Sequence, residues 1–168
     1  MFFRNLYPNQ AVYSAYDLDW ETLSMVYRGV MFDIDNTLVP HGAPADERAK
    51  RLFVRLRGLG MGTMLVSNNG EERVRPFAEQ VDSGYVCKAG KPKAGGYLEA
   101  MRRMGTTPAN TLFVGDQIFT DIWGARRAGV FTILTDPLDP STDEPQIVVK
   151  RLLERPFRRP GHYNVTSS

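Results

Sequence analysis

The amino-acid sequence predicts an α/β fold of the doubly wound, Rossmann-like type, with a mainly parallel sheet of five strands and helices on both faces. Two observations lead to this prediction. From Gly29 onward, short apolar runs alternate with longer amphipathic segments, which is typical of parallel strands joined by crossover helices. The 168 residues are 42% hydrophobic and 24% charged, as expected for one globular domain rather than a disordered or disulfide-rich chain.

The elements follow in order along the chain. The predicted strands are "GVMFDID" (29–35), "GTMLVS" (62–67), "GYVCKAG" (84–90), "NTLFVGD" (110–116) and "VFTILT" (130–135). The predicted helices between them cover residues 45–60, 71–81, 93–105 and 121–130. Apolar Leu52, Phe53 and Leu56 share one face of the first helix, and Pro76 must lie early in the second helix or kink it.

Composition excludes several classes of protein. A net charge of +2 and a pI of 8.8 are too mild to indicate a nucleic-acid partner. Cys87 is the only cysteine, which excludes an intramolecular disulfide and a thiolate metal cage and favours a cytoplasmic setting. No apolar run approaches the ~18 to 20 residues of a membrane span, and the first ten residues lack the features of a signal peptide. We therefore expect no transmembrane segment.

Polar residues that follow the predicted strands should meet at one edge of the sheet. Asp33 and Asp35 end the first strand, Ser67 ends the second, and Asp116 ends the fourth. Ligands of open α/β sheets bind beyond the carboxyl ends of the strands, near the point where the strand order reverses. In a strand, Asp33 and Asp35 would also point to the same side, because they are two residues apart.

Carboxylates crowded at one edge repel each other unless a cation lies among them. Oxygen ligands favour a hard ion such as Mg²⁺, which binds few carboxylates and engages phosphate oxygens. The hydroxyl of Ser67, backbone amides at the start of the next helix and the ammonium group of Lys91 could offset the charge of a phosphate. Asp121 could orient Lys91 or a metal-bound water. These residues indicate a magnesium-dependent site for a phosphate ester.

Four segments of the chain, "FDIDNTLV", "LVSNN", "GKP" and "GDQIFTD", carry a family resemblance. In this order they resemble the motifs of the haloacid dehalogenase (HAD) superfamily of phosphatases, over about residues 30–135. The combination of "DNTLV", "VSNN" and "GDQ..TD" most resembles the YqeG-like family of subclass IIIA, which is related to mitochondrial phosphatidylglycerophosphate phosphatases. The resemblance implies a HAD-like fold and phosphatase activity.

The resemblance also implies the roles of individual residues in the reaction. Asp33 would be the nucleophile that forms an aspartyl-phosphate, and Asp35 would act as general acid and then as general base. Ser67 and Lys91 would hold the transferring phosphoryl group. Asn68 is a further candidate for binding the substrate.

A magnesium site is implied in the same way. Asp33 and Asp116 would bind Mg²⁺ with their carboxylates, and Asp35 would bind it with its backbone carbonyl. Asp121 would support the site, although a helix-capping role is the alternative. Asn69 and Arg73 stay open between a contact with substrate and an ordinary turn or solvated helix face.

The intervals between the motifs predict that the fold has no cap domain. Each interval holds little more than one helix and one strand, so the site should be open unless the N-terminal segment or another subunit covers it. The resemblance implies phosphatidylglycerophosphate as the substrate. A soluble phosphate ester, such as a sugar phosphate or nucleotide, and a phosphoprotein remain alternatives. No sequence feature indicates an oligomeric state.

A non-catalytic module of the receiver type is the alternative from a different class of protein. Receivers also combine aspartates, a hydroxyl and a lysine on a doubly wound sheet. Their phosphoacceptor would follow a central strand and their lysine would come last, whereas the order here is Asp33, Ser67, Lys91 and Asp116. An inactive binding protein on a phosphatase fold also stays open. The Walker pattern of nucleotide hydrolases is absent.

We expect one domain over residues 1–168, made of three parts. These are an aromatic-rich N-terminal extension (1–28), a catalytic core (29–136), and a C-terminal helix with a basic tail (137–168). Aromatic residues of the first part and basic residues around Arg155 and Arg159 could rest on an anionic membrane, which would place the protein at the inner face of the membrane. The alternative is that the aromatic residues pack on the sheet and the basic end is a solvated tail.

Overall fold

A parallel β-sheet of six strands forms the centre of the computed structural model, which describes residues 2–158. In chain order the strands are β1 (Gln10–Val12), β2 (Gly29–Phe32), β3 (Gly62–Val66), β4 (Gly84–Val86), β5 (Thr111–Gly115) and β6 (Phe131–Thr135). Their order in space is β1-β6-β5-β2-β3-β4, and neighbouring strands run parallel. The order reverses between β2 and β5, so the fold has the switch point at which open sheets bind ligands.

The predicted fold class is confirmed, but the sheet has one strand more than predicted. Strand β1 comes from the N-terminal extension and pairs with β6, with Gln10 opposite Ile133. It is three residues long and begins with a polar residue, so it lacks the apolar run that identifies a buried strand. Its position depends on a contact with a strand more than a hundred residues later in the chain.

Helices cover both faces of the sheet. They are α1 (Trp20–Ser24), α2 (Glu47–Gly58), α3 (Glu71–Val81), α4 (Gly95–Met104), α5 (Trp123–Arg127) and α6 (Pro145–Glu154). The side chain of Asp46 caps α2 by accepting a hydrogen bond from the backbone N–H of Ala49 at 2.8 Å. Helix α3 continues through Pro76.

Side chains of neighbouring residues in the central strands pack into separate hydrophobic cores on opposite faces of the sheet. In β2, Phe32 packs in one core with Phe53 and Leu56 of α2, while Met31 packs on the opposite face with Tyr97 of α4. This alternation follows from the two-residue period of a strand. Because both faces are covered, β2 has no exposed residue and ends in the interior of the protein.

The N-terminal extension packs on the sheet. Trp20 is fully buried, its indole N–H donates to the carbonyl of Ala15 at 3.1 Å, and its ring lies 5.7 Å from that of Phe32. The hydroxyl of Tyr16 donates to the carbonyl of Leu38 at 2.6 Å. These two aromatic residues therefore belong to the folded structure.

The two ends of the described chain meet. The ring of Phe157 lies 6.3 Å from that of Phe3 and 5.9 Å from that of Tyr7. The division into residues 1–28, 29–136 and 137–168 stays a prediction, and Arg159 with the rest of the tail lies outside the described residues. Within residues 2–158, no helix has the length and apolar composition needed to cross a bilayer.

The packing of Trp20 leads to a stability prediction. Trp20→Ala should lower the free energy of unfolding by about 3–5 kcal/mol, because it leaves a cavity beside Phe32 and removes the hydrogen bond to Ala15. Urea denaturation followed by circular dichroism measures the change. Met25→Ala is the control, because Met25 lies in the same extension and is 77% exposed. Equal effects of the two substitutions would show that the extension does not stabilise the fold.

Candidate active site

The carboxyl ends of β2, β3 and β5 bring the predicted polar residues together. Asp33 follows β2, Ser67 follows β3 and Asp116 follows β5, and all three are buried. Asp33, Asp35, Ser67, Asn68 and Lys91 line one pocket of about 180 Å³. The switch point therefore carries a pocket with a polar lining, as the sequence predicts.

Three carboxylates form a buried cluster, and one of them, Asp33, lines this pocket. Asp33, Asp116 and Asp121 each present an oxygen within 4.8 Å of the other two. Burial and the nearby charge of Asp121 raise the pKa of Asp33 well above its usual range, and the same two causes raise the pKa of Asp116. Oxygen donors this close together fit a hard divalent cation, which would relieve their repulsion.

The third carboxylate of this cluster is Asp121, and Asp35 lines the same pocket as Asp33 without belonging to the cluster. Strand β2 ends at Phe32, and the chain then turns, with the N–H of Leu38 bonded to the carbonyl of Ile34 at 3.0 Å. The predicted strand of residues 29–35 is therefore too long, and the two-residue period of a strand does not reach Asp35, although Asp33 and Asp35 line the same pocket. A contribution of the Asp35 backbone carbonyl to a metal site stays a prediction.

Three N–H donors hold the carboxylate of Asp35. Arg73 donates at 2.9 Å, Asn69 at 2.7 Å and the backbone N–H of Gly42 at 2.8 Å. Asn69 and Arg73, whose role the sequence leaves open, therefore contact Asp35. The contact from Gly42 could not be predicted, because it depends on how the loop after Val39 folds back.

Lys91 lies between two of the buried carboxylates. Its ammonium group donates to Asp33 at 2.9 Å and to Asp121 at 2.6 Å, and its side chain is 4% exposed. Burial by itself would lower the pKa of Lys91, but the charges of Asp121 and Asp33 outweigh burial and raise the pKa well above its ordinary value. The lysine is therefore charged and links the nucleophile candidate to Asp121.

Asn68 fixes the backbone of Lys91. Its side-chain oxygen accepts the N–H of Lys91 at 2.7 Å, and its side-chain nitrogen donates to the carbonyl of Lys91 at 3.1 Å. Asn68 therefore has a structural contact, and its binding of substrate stays a prediction.

The hydroxyl of Ser67 accepts the N–H of Asn69 at 3.1 Å. Helix α3 begins after Gly70, so Ser67 is not the capping residue of that helix.

Asp121 lies in a wide turn of the π type (Ile118–Ile122) that precedes α5. One oxygen of its carboxylate accepts the backbone N–H groups of Asp116 and Gln117 at 3.2 and 3.1 Å, while the other accepts Lys91. A Cβ on Gly115 would lie 2.6 Å from this carboxylate. Only glycine fits there without displacing Asp121, and the supporting role of Asp121 in the reaction stays a prediction.

The C-terminal segment forms one wall of the pocket, which the sequence does not predict. Glu144, Gln146, Ile147 and Lys150 line the pocket together with the residues of the sheet edge. Arg151 of α6 donates to Asp116 at 2.6 Å and also binds Asp143, which accepts the amide of Asn36 at 2.7 Å. Arg151 is therefore part of the site and not of a solvated tail, because Asp116 and Asp143 give it buried partners. In the sequence, Arg151 is one of several basic residues near the C-terminal end, and no motif distinguishes it from the others.

Comparison with known proteins identifies the family. A family model described as haloacid dehalogenase-like hydrolase matches residues 42–129. The probable phosphatase YqeG of Bacillus subtilis is 34% identical over 140 residues, covering 80% of this chain and 81% of that protein. The chain belongs to the haloacid dehalogenase-like hydrolases. The expected class of enzyme, a phosphatase of the HAD type, is confirmed with it.

Two further comparisons agree with this family. The phosphatidylglycerophosphate phosphatase 1 of Arabidopsis thaliana is 30% identical over 164 residues, covering 86% of this chain and 45% of that protein. The solved structure of the 3-deoxy-D-manno-octulosonate 8-phosphate phosphatase of Moraxella catarrhalis, in complex with magnesium and phosphate ions, matches 75% of this chain and 79% of that chain. Its TM-score is 0.56 at 12% identity, so it supports the fold of this hydrolase.

The ion pairs of Arg151 lead to a second prediction. Arg151→Ala should lower the free energy of unfolding by about 3 kcal/mol, because it leaves Asp116 and Asp143 buried without their cationic partner. Arg102→Ala is the control, since Arg102 binds Glu99 on the exposed surface, where a pair contributes about 1 kcal/mol or less. Urea titration in the presence of a chelator measures both. Equal losses would contradict a structural role for Arg151.

Glu154 of α6 leads to a prediction about pH. It is fully buried, one oxygen accepts the N–H of Phe119 at 2.9 Å, and burial raises its pKa. Because the folded state holds the proton more tightly than the unfolded state, the stability contributed by this group is lost as pH rises through the raised pKa. The uncharged amide of Glu154→Gln escapes that loss. The stability of the variant relative to wild type should therefore increase between acidic and neutral pH.

Thermal unfolding across this pH range measures the difference. Glu79→Gln is the matched control, because the carboxylate of Glu79 is exposed. A constant difference in stability between Glu154→Gln and wild type across this pH range would contradict a raised pKa of Glu154 in the folded protein.

Proposed function

We propose that the chain is a Mg²⁺-dependent phosphomonoesterase that transfers the phosphoryl group to Asp33 before hydrolysis. The observation that carries this proposal is the buried cluster of Asp33, Asp116 and Asp121, with the charged Lys91 between Asp33 and Asp121. A site built from a carboxylate nucleophile and fixed positive charge suits the transfer of an anionic group.

The donor atoms of the cluster fit a magnesium ion. Asp33 and Asp116 would hold it with their carboxylates and Asp35 with its backbone carbonyl, while Asp121 would keep Lys91 and the backbone of Asp116 in place. When bound, the ion would neutralise charge on the phosphoryl oxygens. Burial and the charge of Asp121 raise the pKa values of Asp33 and Asp116, and the repulsion among these carboxylates supports a cation at this position.

The reaction would proceed in two displacements. In the first, a carboxylate oxygen of Asp33 bonds to phosphorus, the bond from phosphorus to the leaving oxygen breaks, and Asp35 gives that oxygen a proton. In the second, Asp35 takes a proton from water, the water oxygen bonds to phosphorus, and the bond to Asp33 breaks. Phosphate leaves and the carboxylate of Asp33 is restored. The contacts from Arg73 and Asn69 would keep Asp35 oriented for both proton transfers.

Ser67, Asn68 and Lys91 would bind the phosphoryl oxygens. The hydroxyl of Ser67 can still donate its proton, because in the folded chain it acts as an acceptor for Asn69. The side-chain nitrogen of Asn68 carries two protons, one of which is used on Lys91. Both groups therefore keep a donor for a phosphate in the pocket.

Phosphatidylglycerophosphate is the substrate that we propose. The support is similarity to proteins named phosphatidylglycerophosphate phosphatase 1 in Arabidopsis thaliana and in Chlamydomonas reinhardtii. A cytoplasmic location at the inner face of a membrane belongs to the same proposal. Soluble phosphate esters and phosphoproteins are the alternative substrates, and a non-catalytic phosphate-binding module is the alternative function.

The test measures phosphate release from phosphatidylglycerophosphate in mixed micelles with Mg²⁺, with p-nitrophenyl phosphate assayed in parallel. Wild type should hydrolyse the lipid in preference to the aryl phosphate. Asp33→Asn should lower turnover by more than about 1,000-fold, because the amide is a poor nucleophile. Asp82→Asn is the matched control, since Asp82 is exposed at the end of α3, and it should keep full activity.

The outcomes separate the chemistry from the substrate. Turnover of the aryl phosphate alone would support the mechanism and contradict phosphatidylglycerophosphate as the substrate. If Asp33→Asn kept both activities, the proposed role of Asp33 would be overturned. Addition of Mg²⁺ should also raise the melting temperature of wild type, and Asp116→Asn should reduce this rise, which tests the metal site without any turnover.

A further inference from the structure

Helix α6 has the reverse of the usual amphipathic arrangement. Its polar residues Arg151 and Glu154 face the protein, where they bind Asp116 and the backbone of Phe119. Its apolar residues Val148, Val149, Leu152 and Leu153 are 46–61% exposed. At 100° per residue these four side chains occupy one face, opposite Arg151 and Glu154. A surface helix normally buries such a face.

The inner contacts explain why the helix stays in this orientation. Turning α6 over would bury its four apolar side chains but would expose Arg151 and leave Asp116 and Asp143 without their cation. Leaving two buried carboxylates without a cation has a cost of the same order as the gain from burying four half-exposed aliphatic side chains, so the ion pairs oppose such a turn of the helix. The apolar face of α6, meaning Val148, Val149, Leu152 and Leu153, therefore stays outside among residues 2–158.

We propose that the apolar face of α6 docks on the surface of an anionic phospholipid membrane. The four side chains would enter the boundary between headgroups and acyl chains, as in helices that lie in the plane of the interface. Lys150, on the flank of the face, and Arg155, directly after the helix, would bind anionic headgroups. The exposed ring of Phe3 lies beside Phe157 near the same end of the helix.

A membrane fits this face better than a second copy of the chain. Four half-exposed aliphatic side chains cover much less than the roughly 800 Å² that each partner buries in a standard interface. Packing two copies around a two-fold axis would also bring Lys150 and Arg155 of one copy close to those of the other. Anionic headgroups neutralise these charges instead.

The position of the face gives docking a consequence for the reaction. Lys150 and Ile147 line the same pocket as Asp33 and Ser67, so α6 lies between the pocket and the proposed membrane surface. A lipid phosphate could enter the pocket while its acyl chains stay in the bilayer. This step rests on the proposed function, whereas the docking itself needs no turnover.

Cosedimentation of the full chain with vesicles tests the docking. Wild type should bind vesicles of phosphatidylglycerol and phosphatidylcholine much more than vesicles of phosphatidylcholine alone. The double variant V149S/L153S should bind the anionic vesicles about tenfold more weakly or worse, and R155Q about fivefold more weakly at low salt. V54S/L98S is the matched control, since Val54 and Leu98 are equally exposed on α2 and α4, and it should bind like wild type.

Turnover of p-nitrophenyl phosphate separates this proposal from the proposed function. V149S/L153S should hydrolyse it like wild type, and Asp33→Asn should bind vesicles like wild type while failing to hydrolyse any ester. Equal vesicle binding by V149S/L153S and wild type, or no binding by wild type, would overturn the docking. If wild type instead formed a dimer in sedimentation velocity and did not bind vesicles, and if V149S/L153S were monomeric, the face would be assigned to a second copy of the chain.

Discussion

The ion pairs of Lys91 with Asp33 and Asp121 are the interaction on which the rest of the site depends. Three buried carboxylates lie within 4.8 Å of one another, so their negative charges repel each other. Burial also raises the free energy of each charged form, because the carboxylates lose their hydration. Lys91 supplies a compensating charge inside the protein, and its own pKa rises because the two carboxylates outweigh its burial. Without this cation, the pKa of Asp33 would rise further, because the charge of Lys91 opposes the effects of burial and of the neighbouring carboxylates.

Several surrounding features serve to hold these charges in position. Asn68 binds both backbone groups of Lys91, Gly115 leaves room for the carboxylate of Asp121, and Arg151 neutralises Asp116 from the C-terminal helix. The last contact also explains the exposed apolar face of α6. Because the helix turns its charged side toward the site, its apolar side has to face outward. The electrostatics of the pocket thus determine the character of the surface beside it.

Much of the fold and of the site was accessible from the sequence, because both rest on local patterns. Strands β2, β3, β5 and β6 are apolar runs bounded by glycine, and Asp33, Ser67 and Asp116 come directly after three of them. The errors arose where a contact joins distant segments. Strand β1 is too short to show a pattern and exists through its pairing with β6. Asp35 lies in a turn and not in the predicted strand of residues 29–35, because β2 ends at Phe32. The role of Arg151 does not follow from the basic C-terminal run, because its partners, Asp116 and Asp143, are identified only by the packing of α6.

The doubly wound fold, the family, and the residues that can carry phosphoryl-transfer chemistry follow from the sequence, since they depend on periodicity and on motifs within short segments. Tertiary structure alone decided that Asp121 joins Asp33 and Asp116, that Asn69 and Arg73 hold Asp35, and that α6 forms a wall of the pocket with its apolar side outward. These outcomes depend on distances between residues that are far apart in the chain. These distances depend on which buried charges pair with each other in the folded protein. That pairing cannot be derived from the order of the residues alone.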